Sequence, residues 1–85
     1  MPNADLFKCF CCGYLTLTEE PPGTFEICPV CFWEDDNIQA EHPTLAGGAN
    51  KVSLEEARRN FEKFGAATKD AVPHVRRPRP DEIPG

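Results

Sequence analysis

KCFCCGY, residues Lys8–Tyr14, crowds three cysteines into four positions, and CPVC follows at Cys28–Cys31. Two C-x-x-C pairs result, Cys9 with Cys12 and Cys28 with Cys31, with fifteen residues between the pairs. A two-residue gap lets a tight turn aim both sulfurs at one ion and leaves backbone N–H groups free to hydrogen-bond the thiolates. Repeated at this interval, the pairs fit a tetrahedral four-thiolate zinc site. Gly13, directly after the first pair, permits the positive φ that such a turn often needs. Pro29 fixes the entry to the second turn. Cys11 is left over. It adjoins Cys12, and only one residue separates it from Cys9, so it cannot share the usual knuckle with either. The spacing assigns it as a non-ligand thiol, packed as a small hydrophobe or available for redox chemistry.

The rest of the chain makes a staple necessary. Eighty-five residues form one small domain, and a hydrophobic core of that size supplies only about 3–5 kcal/mol. Nine prolines and six glycines point to a loop-rich fold. The opening MPNADLFKCF has no basic segment followed by an apolar run, and no segment is long enough to cross a membrane, so the expected location is cytoplasmic. Reducing conditions disfavour structural disulfides, and the odd number of cysteines fits a disulfide framework poorly. The formal net charge is -5, and four thiolates around one divalent ion would bring it to about -7. Such a chain is ill suited to phosphate backbones, which are bound largely through Lys and Arg. Nucleic acid is therefore not the expected partner, although Arg58, Arg59, Lys63 and the tail arginines could make a basic side. Another protein is the expected partner.

Around the cysteines, Leu15 and Leu17 alternate with Tyr14, Thr16 and Thr18, and Phe25 and Ile27 alternate in TFEIC. EEPPG at Glu19–Gly23 separates the two runs as a turn signal. The pattern predicts a β-hairpin with Leu15, Leu17, Phe25 and Ile27 on one face. Asn37–Lys51 reads as an irregular loop, given Pro43 and Gly47-Gly48. In VSLEEARRNFEKFG, Ser53 and Glu56 form a capping box. Leu54, Ala57, Phe61 and Phe64 make an apolar stripe expected to cover the hairpin face, and Gly65 is the C-terminal cap. The proline-rich PHVRRPRPDEIPG is no regular element. It either wraps the domain in extended form or remains a solvated tail.

Other candidate chemistry is sparse. FWEDDN places Phe32 and Trp33 against Glu34, Asp35 and Asp36. These five residues are the candidate contact region for a partner. The competing reading is a solvated acidic turn beside a core Trp33, which is the commoner fate of a charge run. His42 and His74 are expected to be exposed. Ser53 is accounted for as a helix cap, and no phosphate-cradling glycine loop is present. A closed four-cysteine site keeps no position open for water. The expectation is a non-enzymatic protein.

Four thiolates also suit iron. CCGY and CPVC resemble the two knuckles of rubredoxins, but rubredoxins usually carry glycine after the last cysteine, where this chain has Phe32. Zinc is the expected metal and iron the alternative. CFCCGYLTL, FEICPVCFWEDD, GGANKVSLEEARRNFEKFGA and VRRPRPDEIP together resemble the bacterial cysteine-rich CPCC family of small metal-binding proteins. The resemblance spans nearly the whole chain, with Phe10 where the name-giving motif has proline. It implies the metal site and a tail packed on the domain, and no enzymatic activity. The expected fold is a small α+β metal-stabilised domain: a zinc-ribbon-like or rubredoxin-like hairpin and one packed helix over residues 1–69, with an extended tail over 70–85 belonging to the same domain. The expected function is a zinc-binding protein-interaction module. The alternatives are a nucleic-acid-binding zinc ribbon and a rubredoxin-like iron electron carrier.

Overall fold

The chain reverses direction at each cysteine pair, and the strands are the flanks of those reversals. The computed structural model describes residues 6–84. The N-terminal reading that rests on residues 1–5 therefore lies outside the described residues. Strand β1 (Phe7–Lys8) and strand β2 (Leu15–Leu17) pair antiparallel on either side of the first cysteine pair, with Phe7 opposite Leu17 and Lys8 opposite Leu15. Around the second pair, Ile27 bridges Glu34 in the same antiparallel sense. Asp35 extends this pairing, donating its N–H to the Glu26 carbonyl and accepting from the Phe25 N–H.

The expected hairpin between Tyr14–Thr18 and Thr24–Cys28 does not form. A turn that closes within a C-x-x-C pair already reverses the chain. The residues before and after each pair therefore meet each other, ahead of any pairing across the proline turn. Side-chain placement follows. Leu17 is buried and Leu15 half-buried, but Phe25 and Ile27 are each 51% exposed, so the anticipated four-residue apolar face is not the core.

The core lies between the two knuckles and a helix. Helix α1 (Asn37–Glu41) is a short element in the stretch read as irregular. Helix α2 (Leu54–Phe64) begins where Ser53 accepts the Glu56 N–H at 3.1 Å, and stops at Gly65, whose φ of 83° and N–H to the Phe61 carbonyl close the last turn. Its stripe buries Leu54 and Ala57 and half-buries Phe61 and Phe64. Leu54, Ala57 and Phe61 pack against the cysteines, Val30 and Trp33, with Phe61 meeting Tyr14 edge-on at 6.2 Å. It covers the knuckles, not a hairpin face. Burying a Leu54-sized side chain contributes about 1.5–3 kcal/mol.

After α2 the chain returns to the second knuckle. Ala67 donates its N–H to the Cys31 carbonyl at 2.7 Å, and Arg76 donates its N–H to the Pro29 carbonyl at 3.1 Å. Two 3-10 turns, Lys69–His74 and Pro80–Glu82, interrupt the otherwise extended tail. The Arg76 guanidinium grips Glu82 with two bonds of 2.8 Å, and the second turn touches β2. No helix among the described residues is long and apolar enough to cross a membrane.

Candidate metal centre

Each knuckle is built by the same two backbone hydrogen bonds. In the first, Gly13 donates to the Cys9 carbonyl at 2.8 Å and Cys9 donates to the Tyr14 carbonyl at 2.9 Å. In the second, Phe32 donates to the Cys28 carbonyl at 2.8 Å and Cys28 donates to the Trp33 carbonyl at 3.0 Å. The residue after each pair has positive φ, 81° at Gly13 and 73° at Phe32. A left-handed residue at this position turns the chain back, so that both sulfurs of a pair point to the same side.

The two knuckles face one another. The Sγ atoms of Cys9, Cys12, Cys28 and Cys31 all lie within 4.8 Å of each other, with Cys9 to Cys31 at 3.6 Å and Cys12 to Cys28 at 3.7 Å. A tetrahedral ion with metal–sulfur bonds of about 2.3 Å would place its sulfurs about 3.8 Å apart. The donor set therefore fits a soft or borderline divalent ion held by four thiolates. Cys9, Cys28 and Cys31 are buried and Cys12 is half-buried.

Donors around the sulfurs fit anionic ligands. The Thr16 hydroxyl lies 3.0 Å from Cys28 Sγ, the Val30 N–H donates to the same sulfur at 3.4 Å, and the Trp33 N–H donates to Cys31 Sγ at 3.4 Å. Such outer contacts orient metal ligands and tune their charge. The Cys28 thiol is held well below its ordinary range, first by hydrogen bonding with Cys12, then with Cys31 and Cys9, with Thr16 adding to them. Cys31 is pushed upward, led by Cys11, and Cys12 is pushed upward, led by Cys28. Four thiols this close cannot all ionise unless a cation offsets their mutual repulsion.

Cys11 is buried in the same core but stands outside the set of four converging sulfurs. Thr16 joins the site without a sequence mark of its own: alternation separates it from the Leu15 and Leu17 face, and its place beside Cys28 follows from the packing of the two knuckles.

The FWEDDN residues divide between surface and core. Phe32 is exposed and stacks on His74, with ring centroids 5.6 Å apart. Glu34 is half-buried, its backbone clasped by the Asn50 amide, which donates to the Glu34 carbonyl and accepts its N–H. Trp33, Asp35 and Asp36 are buried, so only Phe32 and Glu34 of the five offer surface. The carboxylates are not a solvated run either. Asp36 caps α1 by accepting from the Ile38 and Gln39 N–H groups, and its other oxygen accepts from Ala49. Asp35 Oδ2 accepts from the Thr24 N–H and hydroxyl. Among the described residues, Asp35 Oδ1 and Trp33 Nε1 are buried and find no hydrogen-bond partner, and each such atom costs about 1–3 kcal/mol.

Fold and site together define a small cysteine-rich α+β protein with a four-cysteine cluster placed to hold a metal ion. The pattern described as cysteine-rich CPCC matches residues 7–82, and the chain belongs to that family. A search among curated proteins finds no match. The match embraces both knuckles, α2 and most of the tail. Phe10, which stands where the motif's proline is expected, packs half-buried against the core, and its carbonyl accepts the Arg58 Nε at 2.9 Å.

Proposed function

We propose that this protein is a zinc-ribbon-like module in which Cys9, Cys12, Cys28 and Cys31 hold one structural zinc ion, and that it acts without catalysis, by contacting another protein in a reducing compartment. The observation that carries the reading is the convergence of the four sulfurs within 4.8 Å from two knuckles of matching backbone geometry. Protein thiolates would fill all four positions of a tetrahedral ion, which leaves no place for a reactive water and favours a structural role. Phe32 and Glu34, with Ile27 beside them, line a shallow surface hollow and are the proposed contact residues.

Elemental analysis of aerobically purified protein tests the metal. One zinc per chain in a colourless preparation supports the reading, a red preparation assigns iron, and a metal-free folded chain rejects both. For the contact, a protein captured from the source cells by the wild type should be lost with Phe32→Ala or Glu34→Lys. Unchanged capture by both variants removes this surface from the proposal.

A further inference from the structure

The four converging cysteines are not equivalent. Cys9, Cys28 and Cys31 are at most 2% exposed, whereas Cys12 is half-buried. Cys28 Sγ has the Thr16 hydroxyl and the Val30 N–H, and Cys31 Sγ has the Trp33 N–H. Among the described residues, no N–H or O–H donor is placed on Cys12 Sγ, whose close contact is the Cys28 sulfur at 3.7 Å. Donors withdraw charge from a thiolate, and burial blocks approach to it. Attack at sulfur therefore follows thiolate character and exposure together. No N–H or O–H donor among the described residues is placed on Cys9 Sγ either, but Cys9 is closed off by burial.

We propose that Cys12 is a modification site of the metal-loaded centre, the ligand that small electrophiles reach first, and that the Thr16 hydroxyl shields Cys28. The proposal rests on the zinc reading above. With an alkyl iodide, the Cys12 sulfur lone pair attacks the carbon, an S–C bond forms, the C–I bond breaks, and iodide leaves with the electron pair. No proton moves, because the bound sulfur is already a thiolate. The product is a thioether, a far weaker ligand, so zinc loosens as Cys12 is consumed.

The test treats zinc-loaded protein, its stoichiometry fixed by elemental analysis, with sub-stoichiometric iodoacetamide. Tandem mass spectrometry then ranks the four ligands by labelling rate. Cys12 is expected to carry label first, ahead of Cys28 by about tenfold or more. Thr16→Val should accelerate labelling of Cys28 several-fold and leave Cys12 unchanged, and Thr16→Ser should restore the original order. First labelling at Cys9, Cys28 or Cys31 on protein holding one zinc overturns this inference and leaves the zinc reading intact, as do equal rates at all four. A chain that binds no zinc overturns both. Should Thr16→Val fail to load zinc, the wild-type order alone decides.

Discussion

The two knuckles share a backbone but reach it by different means. The first places glycine at its left-handed position, where nothing lies within 4 Å of the site a Cβ would take. The second places Phe32 there, at a backbone cost of about 1–2 kcal/mol. It also carries the unpartnered Trp33 Nε1 and, two residues on, Asp35 Oδ1. In exchange it receives the N–H···S bonds, the Phe32–His74 stack and the hydrogen bonds from Ala67 and Arg76. The first knuckle is held more lightly, by the Arg58 bond to Phe10 and the Tyr14–Phe61 contact. A strained turn persists where surrounding structure over-determines it. The difference teaches that the first knuckle is specified locally by its sequence, and the second by what returns to pack on it.

The largest expected effect follows from removing the proposed zinc ion, which would link the two knuckles through their four sulfurs. Structural zinc contributes about 10–16 kcal/mol in small peptides, so Cys28→Ser or a strong chelator should unfold both knuckles while α2 keeps part of its helicity. Cys12→Ser should also lose tight binding, but less completely, because Cys28 additionally organises Thr16 and Val30. Amide dispersion by NMR checks this, and native-like spectra of metal-free protein would contradict it.

Next come the aromatic residues that follow each left-handed position. Trp33 is buried and Tyr14 half-buried. Trp33→Ala should cost about 3–5 kcal/mol, and Tyr14→Ala about 1–2 kcal/mol. Denaturant midpoints of the zinc-loaded variants measure the gap, and equal losses would erase the asymmetry. The turn residues themselves should cost no more than Tyr14. Gly13→Ala should cost about 1–2 kcal/mol, from backbone alone. Phe32→Gly should change stability by less than about 1 kcal/mol, because relief of strain is offset by the lost ring stack and by the greater freedom of an unfolded glycine.

The smallest effect concerns the tail that secures the second knuckle. Glu82 is held below the ordinary carboxylate range, first by its hydrogen bonds from Arg76, against the opposing effect of burial. A depressed folded value means that the folded state binds fewer protons than the unfolded one. The clasp therefore stabilises fully above the unfolded value of about 4.3 and is lost as pH falls through the folded value. Glu82→Gln should cost no more than about 1 kcal/mol at neutral pH, since Arg76 is partly exposed. It should also flatten the acid limb of a stability–pH curve measured at fixed zinc occupancy. An unchanged limb would mean that the tail does not support the knuckle.

Much of this architecture is legible in the residues. The cysteine spacing picks out the four sulfurs that converge and sets Cys11 aside. Ser53 and Gly65 bracket α2, because caps and stripe are local signals. The hairpin pairing is not legible, because alternation shows that a segment can be a strand, but not which segment it meets. Leu15–Leu17 alternates in the same way whether its neighbour is Phe7–Lys8 or Thr24–Cys28. The fates of Asp35 and Asp36 were hidden for a related reason. A charge run looks solvated until distant N–H groups, those of Thr24 and Ala49, are known to converge on it. The hold of the chain after α2 on the second knuckle rests on backbone groups of Ala67 and Arg76, which leave no mark on side-chain pattern.

Gln39 carries a consequence of its own. Its amide is fully buried, donates to the carbonyls of Leu45, Asn50 and Val52, and accepts the N–H and side-chain amide of Asn50. The loop over residues 42–49 lies at the surface, yet its far end is tied to a side chain beneath it. In hydrogen exchange this separates protection from secondary structure. The amides of Ala49 and Asn50, outside any helix or strand, are bonded to Asp36 and Gln39 and should exchange slowly, in step with global opening and not with local fraying. A surface segment with few apolar contacts would then report the stability of the whole domain.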